Sequence, residues 1–448
     1  MAEKTISNLD RRPSESTTDT ESYEPRQQEG GYAAWSTVMG SVLIYYAASG
    51  LMNSFGFFQD YYSKELLHHI PAPNIAFIGT LQMALCNIFA SISGALCDRY
   101  GVKVSILHQP SADGELTKSQ YLYIGSGTGM VVSLLILTYI PTSQFLLVLM
   151  TQGLMLGLST AFAVQPALTV VGQHFKDKRA LVMSLVCIGS SLGGIGFPLM
   201  FNKLVPRLGF ANALRIACLK IALCYSIALF LSTSKHSNNP ERKSRTPLID
   251  FGGFRDFRYA VLCVGMWFTI LGLWIPAYYI KTYTAAAYGN NDISQYFLCI
   301  INGCSIVGAI FAGTMGDRIG RLNLLWPMVL MSGCLCLFLW LLSTSMPTLV
   351  LFISMYGFFS SSVSALPASI IGQITPDDKL GARTGAFFSL ISAASLGGTP
   401  IAGALISDAN SRDGYRWLIL FSGTALVLGS VFMLASRLLH TQDLRKKW

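Results

Sequence analysis

The chain runs to 448 residues, of which 52% are hydrophobic and only 12% charged, with a formal net charge of +9. Water-soluble domains carry about a quarter charged residues, and the mean hydropathy here is +0.48. That balance excludes an ordinary soluble enzyme or nucleic-acid-binding domain and points to a chain that crosses a membrane many times.

In chain order, residues 1–31 form a polar tail rich in Ser, Thr and Pro, with seven acids up to Glu29. It has no apolar core of a cleavable signal and reads as disordered. Long apolar runs follow, and a span needs about 20 residues. They are Tyr32–Phe58, Asn74–Cys97, Tyr121–Ile140, Ser143–Gly172, Ala180–Phe201 and Asn212–Ser232 in a first bundle over residues 32–233. A basic, turn-rich linker over 234–256 separates them from Phe257–Thr282, Ile293–Met315, Leu322–Leu342, Met346–Ile371, Gly381–Ser407 and Tyr415–Leu438 in a second bundle over 257–438, with a tail at 439–448. Backbone polar groups in lipid must be satisfied within their own segment, so the spans are helices. The expected fold is an all-α membrane protein of twelve transmembrane helices in two pseudo-symmetric six-helix bundles.

The charges orient it. With both termini inside, the inner segments together with the span ends beside them hold 24 Lys and Arg and the outer ones 6, with Arg215 and Lys220 deeper in the sixth span. That asymmetry places both ends in the cytosol, and a plasma-membrane location is expected, with a vacuolar or other internal membrane as the alternative. The ten cysteines lie in spans or at their ends with no disulfide or zinc spacing, and read as small apolar contact residues.

The two halves repeat one another. Gly172-Gln173 recurs as Gly372-Gln373, an offset of 200, and Ser191-Leu192-Gly193-Gly194 recurs as Ser395-Leu396-Gly397-Gly398, an offset of 204. Asp98-Arg99-Tyr100-Gly101 recurs as Asp317-Arg318-Ile319-Gly320, but at 219. Setting aside the seventeen polar residues Val104–Gln120 reduces that offset to 202. Val-Ser at its start, Leu116-Thr117 and Gln120 can be encoded by intron donor, branch-point and acceptor sequences, and seventeen codons keep the frame. The segment therefore reads as a translated intron; the alternative is a real cytosolic insertion, which a loop tolerates at modest entropic cost.

Twelve spans, the repeat, and Gly94-x-x-x-Asp98-Arg99-Tyr100-Gly101 doubled as Gly313-x-x-x-Asp317-Arg318-Ile319-Gly320-Arg321 resemble the major facilitator superfamily from Tyr32 to Leu438. Glu29-Gly30-Gly31-Tyr32-Ala33-Ala34-Trp35 and the stretch Asn53 to Tyr62 are similar to the fungal branch of its monocarboxylate porters. In that superfamily the doubled motif locks the cytoplasmic ends of the bundles, which implies gating roles for Asp98, Arg99, Gly101, Asp317, Arg318, Gly320 and Arg321. Animal lactate carriers have a Lys late in the first span and an Asp and Arg in the eighth. Leu51-Met52-Asn53 and Ile300 to Cys304 carry no ionisable residue, so lactate is not the expected cargo.

The resemblance also implies a substrate held mid-membrane by spans one, four, seven and ten. Polar groups there are costly in lipid and mark pathways. The candidates are Asn53, Gln152, Gln165, Trp267, Trp274, Tyr278 and Tyr356, joined by Asn302 of the eighth span. Amides bind neutral polar groups, and aromatics give flat apolar surface with a polar handle. Gln152 and Asn302 would serve equally as helix-to-helix hydrogen-bonding groups, and the aromatics as packing. Asp60, near the outer end of its helix, is a candidate coupling group; Lys220 lies too deep to be readily solvated.

No phosphate-cradling loop, metal-ligand spacing or catalytic triad is present, so neither ATP, a cofactor, nucleic acid nor an enzymatic reaction is expected. The expected partners are a small-molecule substrate, membrane lipid and a coupling proton. The expected function is secondary active transport of a small or medium organic molecule by alternating access, as efflux of a secondary metabolite or as uptake of a carboxylate or vitamin-like solute. A non-transporting sensor is a third class, and the short tails speak against it.

Overall fold

The computed structural model describes residues 31–100, 120–141, 144–175, 179–232, 251–289, 292–375 and 380–440. Gly101, residues 104–119 and the side chains of Asp98 and Arg99 lie outside the described residues, as do most of the two tails and of the linker. All regular structure among the described residues is helical.

Twelve spans follow the order expected. Span 1 is Tyr32–Asn53 continued by Phe55–Tyr61; span 2 is Ala72–Tyr100; span 3 is Gln120–Leu137. Span 4 runs from Phe145–Val148 through a π-helical Leu149–Met155 to Leu156–His174. Spans 5 and 6 are Arg179–Leu208 and Phe210–Leu231. Span 7 is Phe257–Leu273 continued by Ile275–Tyr288; span 8 is Phe297–Ile319; span 9 is Arg321–Cys334 with a π-helical Leu335–Trp340. Span 10 is Met346–Ser360, Ser362–Ala365 and Pro367–Ile374; spans 11 and 12 are Leu380–Ala404 and Arg416–His440. Among the described residues, ten helices are long and apolar enough to cross a bilayer, and Leu122–Leu137 of span 3 is a shorter apolar helix. Large apolar side chains such as Leu219, Leu223, Phe230, Phe338 and Trp417 stand exposed on the outside, as a lipid-facing surface requires.

The first span of each half is interrupted. In span 7 the cause is Pro276, which lacks the N–H that Gly272 O would accept four residues back. The neighbouring helices satisfy the freed carbonyls: Ser422 Oγ donates to Gly272 O at 3.0 Å and Tyr356 OH to Leu273 O at 2.7 Å. Such repair is what lets a broken helix persist in lipid. Span 1 breaks at Ser54 without a proline, and Ser54 Oγ donates back to Gly50 O at 2.7 Å.

Small residues allow close packing where no hydrophobic force acts between helices. A Cβ on Gly50 of span 1 would lie 2.5 Å from Gly193 Cα of span 5. The halves themselves meet along spans 2 and 11 and along spans 5 and 8. Asn87 Nδ2 donates to Ser395 Oγ at 3.0 Å across the first seam. In the second, a Cβ on Gly194 would stand 2.6 Å from the Asn302 amide. The repeated Ser-Leu-Gly-Gly thus faces two ways in each half. Gly193 meets span 1 of its own half and Gly194 meets the opposite half; Gly398 packs on Leu271 of span 7 and Ser395 meets the opposite half.

Candidate substrate site and gates

At the end of the bundle opposite Tyr32, the second segments of spans 1 and 7 hold the halves together. Asp60 Oδ2 accepts from Lys281 Nζ at 2.7 Å, and Asp60 Oδ1 pairs with Lys64 at 2.8 Å. Asp60 and Lys281 are 221 positions apart, and setting aside the seventeen surplus residues leaves 204, the offset of the internal repeat. The bridge therefore joins positions that correspond, to within about a residue, in the two halves. One turn deeper, the rings of Phe55 and Tyr278 lie 5.2 Å apart. Gly56 allows this approach, since a Cβ there would stand 2.8 Å from Ala277 O. Asn202 Nδ2 of span 5 adds a bond to Gln295 O at 3.4 Å.

At the end that carries Tyr32, Asp317 lies in the last turn of span 8 and serves both halves. Its Oδ1 accepts from Arg321 Nε at 3.3 Å and Nη2 at 3.1 Å, while Oδ2 accepts from the Leu181 N–H at 3.3 Å. Leu181 lies in the first turn of span 5, where unpaired N–H groups and the helix dipole favour a carboxylate. Arg321 Nη1 also donates to Ser369 O of span 10 at 2.9 Å. Gly320 makes the turn between spans 8 and 9 at φ +109°, in the left-handed region that glycine tolerates. Arg318 is exposed.

Between these ends lie the residues expected to touch substrate. On span 7, Gly265 and Gly272 face span 12 and Leu271 faces span 11. Trp267 and Trp274, seven residues apart and both half-buried, share the remaining stripe. Asn53 and Gln165 are also half-buried, and Asn53 Nδ2 reaches Ser190 O at 3.4 Å. The other four are more engaged by protein. Gln152, in the π-helical part of span 4, accepts from Tyr62 OH. Asn302 Nδ2 bonds Leu298 O at 2.7 Å and sits against Gly194. Tyr356 caps the break in span 7. Tyr278 is buried beside Phe55, with no hydrogen-bond partner for its hydroxyl among the described residues. The structure thus brings Asn53 and Trp274 to the paired breaks and sets Gln152, Asn302 and Tyr356 in helix-to-helix contacts.

Lys281, Phe55, Leu181 and Ser369 were not legible as site residues in the sequence. For Lys281 the signal was present: it sits at the repeat offset from Asp60. The backbone partners of Asp317 and Arg321 carry no residue-specific signal.

A family model described as Major Facilitator Superfamily matches residues 262–447. The chain is 31% identical over 413 residues to the MFS transporter asaE of Aspergillus flavus, covering 92% of this chain and 88% of that one. It is 29% identical over 403 residues to the agnestins efflux protein AgnL12 of Paecilomyces divaricatus, covering 90% and 86%. Among solved structures, a point mutant of the nucleoside transporter NupG superposes with a TM-score of 0.63 at 13% identity, over 90% of this chain and 99% of that one.

Proposed function

The chain belongs to the major facilitator superfamily, and we propose that it is a secondary active exporter of an amphipathic organic metabolite, working by alternating access from a plasma membrane with both termini in the cytosol. The observation that carries this reading is likeness along nine-tenths of the chain to relatives named as MFS transporters and efflux proteins. In this reading Asn53, Gln165, Trp267 and Trp274 touch the cargo from the half-buried surfaces of spans 1, 4 and 7. Gln152, Tyr278, Asn302 and Tyr356 complete the lining and hold its helices in register. Interrupted helices suit that task, because backbone groups at a break lie near the midplane beside the pocket.

The gates act in opposition. Asp317, Arg318, Gly320 and Arg321, with Asp98, Arg99 and Gly101 as their counterparts in the first half, close the inner side. Asp60 and Lys281 close the outer side. A proton is the coupling ion, with Asp60 as the candidate coupling group. Disrupting the gene in its source organism tests the direction. Export predicts that a metabolite accumulates in the cells and falls in the medium; the reverse distribution would establish uptake.

We further propose that Val104–Gln120 is absent from the working transporter. Two structural correspondences support it independently of the loop motif. The Asp60–Lys281 offset of 221 becomes 204, and the span breaks at Asn53 and Leu273, 220 apart, become 203 once seventeen residues are removed. Sequencing the cDNA decides it: a dominant message that lacks these codons is expected, and one that retains them would refute the intron.

A further inference from the structure

Lys220 lies ten residues inside span 6, which starts at Phe210. At about 1.5 Å rise per residue this is some 15 Å from the outer end, close to the middle of a hydrocarbon layer about 30 Å thick. Its side chain turns inward to spans 1 and 5. The ammonium nitrogen is 4.8 Å from the centroid of the Tyr46 ring and 4.7 Å from that of Phe197, and those rings are themselves 5.6 Å apart at 31°. Gly196 leaves room for this clamp, since a Cβ there would lie 2.5 Å from Tyr46 OH and 3.4 Å from Lys220 Nζ.

Two ring faces stabilise a cation but accept none of its three N–H bonds in the ordinary sense. Among the described residues Lys220 has no ion pair; the three that occur belong to Asp60 and Asp317. Nor does the sequence supply a carboxylate elsewhere at that depth. The acids within the twelve spans are Asp60, Asp98 and Asp317, each near a span end. An ionisable group kept at mid-membrane without a protein counter-ion is a functional site in search of its partner.

We propose that Lys220, clamped between Tyr46 and Phe197, binds the carboxylate of an amphipathic organic anion. The surroundings set the chemistry of the rest of the molecule. Phe197, Phe201 and Phe57 stack in series, with ring centroids 6.2 and 5.2 Å apart, and are buried, an apolar backing behind the ammonium that favours an anion with an apolar body. Leu219 and Leu223, beside Lys220 on span 6, are exposed to lipid, and neither a carboxylate nor a phospholipid phosphate can descend through about half the hydrocarbon thickness to the clamp, so the anion reaches it from the pocket. Asn53 lies two turns along span 1 from Tyr46, on the same face toward span 5, which links the clamp to the pocket. Only in calling the bound anion a cargo does this rest on the exporter reading.

The test is equilibrium binding, so it is independent of transport and of its direction. The full chain in phosphatidylcholine nanodiscs is titrated with pyrenebutyrate and with its neutral methylamide, and the signal from empty nanodiscs is subtracted. The carboxylate is expected to bind at least tenfold more tightly than the amide. Lys220→Met should abolish that preference while leaving amide binding unchanged, and Lys220→Arg should keep it within about threefold, because the charge-assisted bond survives. Size-exclusion and melting profiles establish that each variant is folded. Should Lys220→Met not fold, Tyr46→Leu, which removes one face of the clamp, is expected to weaken the carboxylate alone. A wild-type protein without preference for the carboxylate, or a Lys220→Met variant that retains it, overturns the assignment.

Discussion

Replacing Asp60 by Asn removes the charge on which the outer closure centres. The side chain of Asp60 is 13% exposed and that of Lys281 28%, at a separation of 2.7 Å. Fully exposed pairs contribute only about 0.2–1 kcal/mol, whereas hydrogen bonds to charged groups sheltered from water contribute about 1.5–3 kcal/mol. An intermediate value of about 2 kcal/mol corresponds to roughly a 30-fold change in the ratio of closed to open outer ends. Neutralising Lys281 should do less. Lys64, 57% exposed, still pairs with Asp60 at 2.8 Å, whereas Asp60→Asn leaves two ammonium groups facing one another. Spin labels at His69→Cys and Ala409→Cys, both exposed in outer loops, report the separation of the halves in a background without native cysteines. Asp60→Asn should add a longer-distance population, Lys281→Met a smaller one, and the exchanged pair Asp60→Lys with Lys281→Asp should restore much of the short distance. An unchanged distance distribution in Asp60→Asn would refute the latch.

At the inner end, Asp317→Asn weakens bonds from Arg321 and from the Leu181 N–H; turnover in vesicles should fall by tenfold or more while the melting temperature stays within a few degrees of wild type. Gly50→Val forces a side chain onto Gly193, where even a Cβ would lie 2.5 Å from the Gly193 Cα; overpacking of this kind costs about 1–3 kcal/mol, read as a lowered melting temperature. Single cysteines at Asn53, Gln165 and Trp274 should be shielded from a thiol reagent by the cargo, and equal labelling with and without cargo at all three would misplace the pocket.

The fold was legible because lipid imposes one rule on every span, and the internal repeat supplied the symmetry. Span limits fell within a few residues except where helices run on beyond the hydrophobic stretch, as in span 5 to Leu208 and span 7 to Tyr288. The interruption of span 7 was recoverable from Pro276, but that at Ser54 was not, since no proline marks it. The π-helical turn that carries Gln152 is likewise invisible in composition. Asp317, Gly320 and Arg321, the proposed gate residues, stand out in the sequence through a repeated motif, yet the partners of Asp317 and Arg321 across the helices are a backbone N–H and a carbonyl, which any residue can supply. Lys281 escaped notice because a lysine near a span end ordinarily reads as an interfacial anchor; only pairing across the halves distinguishes it. Lys220 was noticed for its depth, but the direction of its side chain depends on how span 6 is rotated against spans 1 and 5.

The most direct test of export by alternating access is protein-dependent release of cargo. Liposomes containing the purified chain are loaded with an extract of the source organism, given a proton gradient directed inward, and the released compounds are identified by mass spectrometry. At least one amphipathic metabolite should leave faster than from protein-free liposomes, more slowly with Asp317→Asn, and more slowly again when the gradient is collapsed. Release that matches the protein-free liposomes for every compound would contradict the account.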